Sequence, residues 1–420
     1  MNVSGIWGSR MQEDLKVSRF QAWCVLAAAT GINMTMGVTY SWSIIKKALV
    51  SDWHWTNVEA SLPMTAYTAV FALSVLCAGR MQDKLGPRLI ANLGAVLLGL
   101  GLISCSFTST PLTMLLTYCI AAIGNGLCYA TTIPASVKWF PSARKGLVTG
   151  IVVSGIGVAS AYFSPIANWL IHHYGISQTF LTIGVAASFV LLILAQFLRN
   201  PPANYNPQLQ SDKLAVSLNR KVLVSKDIDW LEMIKTVLFY KLWLMYFFAA
   251  STGLMIIAHI ATIAKTQAGW ENGFYLVIIF AIFNTGGRLA TGFLSDRYGR
   301  RNIMMLVFLL QAVNMLLFIT YSTPELLALG TVFTGFCYGA FFALFPLATA
   351  DFFGMKNFGA NYGLVFLAWG FAGLLGPVLA GWAVDATQTY LAAYMVSAAL
   401  LIAAFFLALT IKPQAVTSDG

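Results

Sequence analysis

Charge is scarce in this chain: only 10% of its 420 residues are Asp, Glu, Lys or Arg. The 15 acidic residues fall in tails, in loops or at the ends of apolar stretches, so no carboxylate sits at membrane depth. That shortage disfavours an exporter of cationic drugs, which needs a buried acid, and catalysis by paired carboxylates. Histidine is rare too, at four residues. No Ser-His-Asp set, metal cluster or nucleotide-cradling loop appears, so neither enzymatic activity nor a cofactor is expected. The six cysteines (Cys24, Cys77, Cys105, Cys119, Cys128, Cys337) lie within apolar stretches without metal-ligand spacing. They read as small buried hydrophobes rather than disulfide partners. A cleavable leader is also missing from the pattern. The first 19 residues are polar and mixed in charge and run directly into a long span, as in an uncleaved first helix behind a cytoplasmic tail.

What the chain has instead is apolar length. Mean hydropathy is +0.75 and 58% of residues are hydrophobic, and apolar stretches long enough to cross a bilayer recur throughout. The expected fold class is an all-α polytopic membrane protein. Turn signals divide it into twelve transmembrane helices at about 20–45, 60–80, 88–107, 111–137, 146–172, 178–198, 238–264, 272–295, 301–321, 325–350, 359–384 and 389–411. One long polar segment, Arg199 to Thr236, carries Pro201, Pro202 and Pro207 and reads as a linker. Within it, Asp227 to Thr236 is expected to form an amphipathic surface helix. The domains are then a six-helix bundle over 1–198, a cytoplasmic linker over 199–237 and a second six-helix bundle over 238–420.

The basic residues are sided. Of 25 Lys and Arg, 21 fall in the N-terminal tail, the loops after even-numbered spans and the C-terminal tail, against Lys46, Lys47 and Lys265 opposite. By the positive-inside rule both termini are cytoplasmic, with the chain in the cell (inner) membrane. Sidedness also accounts for the net charge of +10 without a nucleic-acid partner.

Arg288 is the exception, lying deep within an apolar span (Phe280-Ala281-Ile282-Phe283-Asn284-Thr285-Gly286-Gly287-Arg288). An arginine near the centre of a membrane helix costs roughly 2.5–3.5 kcal/mol, so such charges face a cavity or a partner. Asn284, one turn earlier, puts its amide on the same helical face. Two readings stand. The face binds an organic anion, or the arginine pairs with helix carbonyls or a distant carboxylate and holds helices together.

The chain also repeats. Gly79-Arg80-Met-Gln-Asp83-Lys-Leu-Gly86-Pro-Arg88 aligns with Gly292-Phe-Leu-Ser-Asp296-Arg297-Tyr-Gly299-Arg300-Arg301 at an offset of 213 residues, which also carries Gly150 onto Gly363 and Gly157 onto Gly370. Two parallel six-helix halves follow, and transporters built this way place substrate near the midplane between the repeats. The doubled loop resembles the signature of the major facilitator superfamily. Further stretches narrow the likeness: Gly37-Val-Thr-Tyr40-Ser-Trp42-Ser, then Lys138-Trp139-Phe140-Pro-Ser-Ala-Arg144-Lys145-Gly146, and Asn361-Tyr362-Gly363. With the eighth-helix arginine, these resemble the monocarboxylate transporter and oxalate/formate antiporter branch, in its prokaryotic form.

That resemblance implies a secondary transporter of small monocarboxylates of the lactate and pyruvate class, coupled to protons as a symporter and working by alternating access. Carboxylate exchange of the oxalate/formate type is the alternative. Small carboxylate, proton and lipid bilayer are the implied partners, with a functional monomer. Arg288 is implied as the carboxylate binder, its planar fork able to donate two parallel hydrogen bonds. Animal members carry an aspartate where this chain has Asn284, and oxalate exchangers a lysine where it has Trp369. One buried cation suits a monoanion better than a dianion. In the family fold the first, fourth, seventh and tenth helices line the cavity, which marks Tyr129 and Tyr338 as further substrate contacts; Asn33, a polar group at membrane depth in the first helix, is another candidate, and Phe342 and Phe366 would supply apolar walls or gates. His259 is the candidate proton site, because imidazole titrates near neutral pH. A packing histidine is the plainer alternative. Asp83 and Asp296, with Arg80, Arg297 and Arg300, are implied as the cytoplasmic latch. A channel is disfavoured by the two-half repeat.

Overall fold

The computed structural model describes residues 3–37, 41–56, 58–202, 205, 207, 227–387 and 389–411. Helices dominate: α1 (Val3–Met36), α2 (Trp42–Asp52), α3 (Leu62–Leu85), α4 (Pro87–Cys105), α5 (Pro111–Val137) and α6 (Lys145–Ala195) precede the linker. A four-residue turn, α7 (Trp230–Met233), leads into α8 (Val237–Ala268), α9 (Phe274–Tyr298), α10 (Arg300–Phe318), α11 (Pro324–Phe353), α12 (Phe358–Thr387) and α13 (Leu391–Leu409). Their ends follow local chemistry. Thr110, Thr236 and Thr323 cap α5, α8 and α11 by accepting from the backbone N–H three residues on, which satisfies one of the donors a helix start leaves open. Gly86 and Gly299, one in each copy of the repeated loop, end α3 and α9 at φ 85° and 88°, a region costly for any side chain with a Cβ.

Among the described residues ten helical segments are long and apolar enough to cross a membrane, judged by length and composition, and one of them, Ser142–Ala195, runs for 54 residues. That length serves two crossings, since Gly175 breaks helical geometry inside it (φ 78°). With the apolar part of α1, twelve crossings result, as expected from hydropathy. Two boundaries differ from the sequence expectation. The first span ends at Met36, and the chain resumes as the separate helix α2. The fifth and sixth spans meet at Gly175, whose non-helical backbone separates two helices where the sequence expectation put the turn between 172 and 178. The surface helix expected over Asp227–Thr236 is reduced to α7, because Thr236 instead caps α8. Most of the linker (208–226) and Val38–Tyr40 lie outside the described residues.

In the first half, α5 packs on α3 and α4, and α6 on α1 and α4; in the second, α9 packs on α11, α8 on α12 and α10 on α13. Two seams join the halves, α3 against α12 and α6 against α9. Both are glycine crossings, and they are the same crossing twice. A Cβ on Gly79 would collide with the Gly359 backbone, and one on Gly292 with the Gly146 backbone. The two pairs are related by the 213-residue offset. Small residues let helix backbones approach closely where lipid offers no competing hydrophobic force. Large apolar side chains such as Leu73, Phe197, Val378 and Trp382 point outward, the arrangement of a chain solvated by lipid.

Candidate functional site

Arg288 sits on α9 at the α6 seam and is fully buried. Its Nε donates to Asn284 Oδ1 at 2.8 Å, the contact expected from their four-residue spacing. Its Nη1 donates 2.5 Å across the seam to the Val153 carbonyl on α6. Its Nη2 is buried without a hydrogen-bond partner. The guanidinium carbon lies 4.4 Å from the centre of the Phe342 ring on α11, a cation–π contact that partly offsets the lost hydration. Among the described residues no carboxylate pairs with Arg288; ion pairs such as Lys265–Glu271, Arg300–Asp296 and Arg300–Asp351 lie elsewhere. Close packing fixes this geometry. Gly287 rests on the Phe336 backbone and Gly339 on the Asn284 backbone, so α9 and α11 touch along the stretch bearing Arg288 and Phe342.

Both readings of Arg288 thus have a share in the geometry. One donor ties the halves together through a helix carbonyl; another is buried with no hydrogen-bond partner. An unpaired buried donor on a charged group is expensive, which makes the site receptive to an acceptor.

Aromatic rings from both halves surround it. Phe342 packs edge-on to Tyr338 (5.3 Å), Trp369 (6.2 Å) and Tyr246 (6.5 Å). Phe366 stacks on Trp369 at 5.3 Å and lies 5.1 Å from Tyr129. The Tyr129 hydroxyl stands 3.2 Å from that of Tyr362, a hydrogen bond from the first half to the second. Trp369 Nε1 donates to the Tyr338 hydroxyl at 2.9 Å. Tyr129, Tyr338, Phe342 and Phe366 are therefore brought into one cluster with Arg288. Asn33 is placed differently: its Nδ2 donates to the Val152 carbonyl (2.8 Å) and Thr132 Oγ1 (3.3 Å), bonds within the first half. Its neighbour on α6, Val153, takes Arg288.

His259 belongs to another group. Its Nε2 lies 3.1 Å from the Pro377 carbonyl and its Nδ1 3.2 Å from the Tyr390 hydroxyl. A carbonyl only accepts, so Nε2 carries the proton and Nδ1 accepts from Tyr390. These bonds hold α8 to α12 at Pro377 and to Tyr390, and among the described residues no hydrogen bond joins them to Arg288.

At the basic face, the repeated aspartates close both seams. Asp83 accepts from Gly359 N (3.2 Å) and Ala360 N (3.0 Å), the start of α12. Asp296 accepts from Gly146 N and Leu147 N (2.9 Å each), the start of α6. A carboxylate at a helix N-terminus meets both open N–H groups and the positive end of the helix dipole. The second latch has more: Arg300 bridges Asp296 (2.7 Å) and Asp351 (3.0 Å). The 213-residue offset puts Pro87 and Lys138 at those two positions in the first repeat. Arg80 lies over the Trp230 ring of the linker turn at 5.3 Å, and Arg297 over Tyr298 at 5.5 Å. The linker end is itself anchored, since Asp227 Oδ1 accepts from Met355 N and Lys356 N at 3.0 Å.

Sequence reasoning missed Tyr246, Tyr362 and the Val153 carbonyl. Tyr362 carried a signal, a phenol beside a glycine at the start of a span; a backbone carbonyl carries none.

The family model of the Major Facilitator Superfamily matches residues 24–289 and 251–419. The chain belongs to this superfamily. It is 28% identical to the oxalate:formate antiporter of Oxalobacter formigenes over 393 residues, covering 91% of this chain and 89% of that one. It is 26% identical to monocarboxylate transporter 13 of Rattus norvegicus, with 90% and 86% covered. Among solved structures, the proton:xylose symporter XylE superposes with a TM-score of 0.74 at 14% identity, covering 94% of this chain and 97% of that one. This superfamily member is a multi-pass membrane transporter, not an enzyme.

Proposed function

We propose that this transporter moves a small monocarboxylate of the lactate or pyruvate class together with a proton, by alternating access between its two halves. The observation that carries the reading is the buried Nη2 of Arg288, a cationic donor without a partner at the seam of the halves. A carboxylate there would accept charge-assisted hydrogen bonds in a setting where water does not compete. Asn284 orients the guanidinium, and Tyr129 and Tyr338 with Phe342 and Phe366 wall the short aliphatic part of the substrate. Asp83 and Asp296, with Arg300, act as the latch of the closed face, and His259 is the candidate proton carrier. In this reading the basic face and both termini are cytoplasmic, the membrane is the cell's inner membrane, and a monomer suffices.

The test is uptake of labelled lactate into proteoliposomes under an inward proton gradient. Arg288→Ala abolishes uptake while the purified variant still elutes as a monodisperse peak. Transport at the wild-type rate would remove Arg288 from the mechanism. A second reading, carboxylate exchange, is favoured by the likeness to the oxalate:formate antiporter. It is separated by the driving force: exchange needs preloaded counter-substrate, symport a pH difference.

A further inference from the structure

Tyr246, on α8, is absent from the substrate set above and has an unusual setting. The residue is fully buried, and its hydroxyl makes no hydrogen bond of ordinary length. Its ring is held rigidly, stacked on Phe345 at 4.2 Å and 13° and edge-on to Phe342 and Phe366. Its ring and the Arg288 guanidinium both pack on the Phe342 ring, at 6.5 and 4.4 Å between centres. Two buried donors with nothing to donate to, Arg288 Nη2 and Tyr246 Oη, therefore face the same aromatic cluster.

A buried polar hydrogen is normally satisfied, so two left over against one aromatic cluster make a place for an acceptor supplied by a ligand. Arg288 takes the charge of the ligand. A phenol beside it takes a neutral acceptor, and the rigid ring holds that acceptor at one place. We infer that Tyr246 reads a second oxygen, on the carbon next to the carboxylate, and so selects 2-hydroxy and 2-oxo acids over unsubstituted acids of the same length. This rests on the carboxylate reading of Arg288. A site built to hydrogen-bond a substrate oxygen discriminates against the analogue lacking it, because the unmet partner stays buried.

L-Lactate and propionate differ in that one oxygen, so they are the probes. Their affinities are measured by calorimetry on the purified full chain, for wild type and Tyr246→Phe. Wild type prefers lactate, and Tyr246→Phe weakens lactate about tenfold, the scale of one hydrogen bond, while propionate is unchanged. The melting temperature of the ligand-free variant stays level or rises, since a hydroxyl without a partner is removed. The inference is overturned if the two ligands weaken together, if the lactate preference survives, or if the ligand-free variant melts several degrees lower. Each of the last outcomes would make the hydroxyl a packing or structural group. Failure of the carboxylate reading looks different: wild type then binds neither acid, or Arg288→Ala binds both as well as wild type does.

Discussion

The seam at Gly79 gives the sharpest test of how the halves move. A Cβ on Gly79 meets the carbonyl oxygen, carbon and Cα of Gly359, all backbone atoms of the facing helix. No rotamer change relieves that clash, so Gly79→Ala must part α3 from α12 at the basic face. Overpacking of a tight contact costs about 1–3 kcal/mol. Where the halves can separate, that cost falls on the closed arrangement alone. At 1.4 kcal/mol per factor of ten, the open population rises about 5- to 150-fold. Gly286→Ala is the control, because a Cβ there has nothing within 4 Å. It should leave the equilibrium unchanged and, by helix propensity, stabilise the protein slightly. Spin labels at Lys84 and Lys356, both exposed and on opposite sides of the seam, report the separation by double electron–electron resonance. Gly79→Ala broadens and lengthens that distance distribution, and Gly286→Ala does not. A folded Gly79→Ala protein with the wild-type distribution would refute the idea that this crossing controls closure at the basic face.

Two further outcomes follow from single contacts in the structure. Asn284→Leu removes the acceptor of Arg288 Nε at 2.8 Å. Losing a hydrogen bond to a charged group costs about 1.5–3 kcal/mol, so lactate affinity measured by calorimetry falls between roughly ten- and 150-fold. Asp227→Asn weakens the anchor of the linker end on Met355 and Lys356. That exposed contact contributes on the order of 0.5 kcal/mol, so differential scanning fluorimetry shows a small drop in melting temperature with binding unaffected.

Much of this transporter is legible along the chain because the decisive costs are local. Apolar length sets the spans, basic residues mark one face, and the 213-residue repeat declares two equivalent halves. Arg288 stands out because a cation at membrane depth is costly wherever the helix packs, and its bond to Asn284 follows from the helical period alone. The amino-acid order likewise placed Asp83 and Asp296 at helix ends. It could not say what they meet. Their N–H partners on α12 and α6 come from residues 276 and 150 positions away in the chain. The same holds for the Val153 carbonyl on Arg288 and the Tyr129–Tyr362 bond. Those pairings depend on where helices cross and how closely, which small residues permit but do not choose. Tyr246 is the clearest case. In sequence it is one aromatic among many, and only the assembled bundle buries its hydroxyl without a hydrogen bond of ordinary length and packs its ring on the Phe342 that carries Arg288.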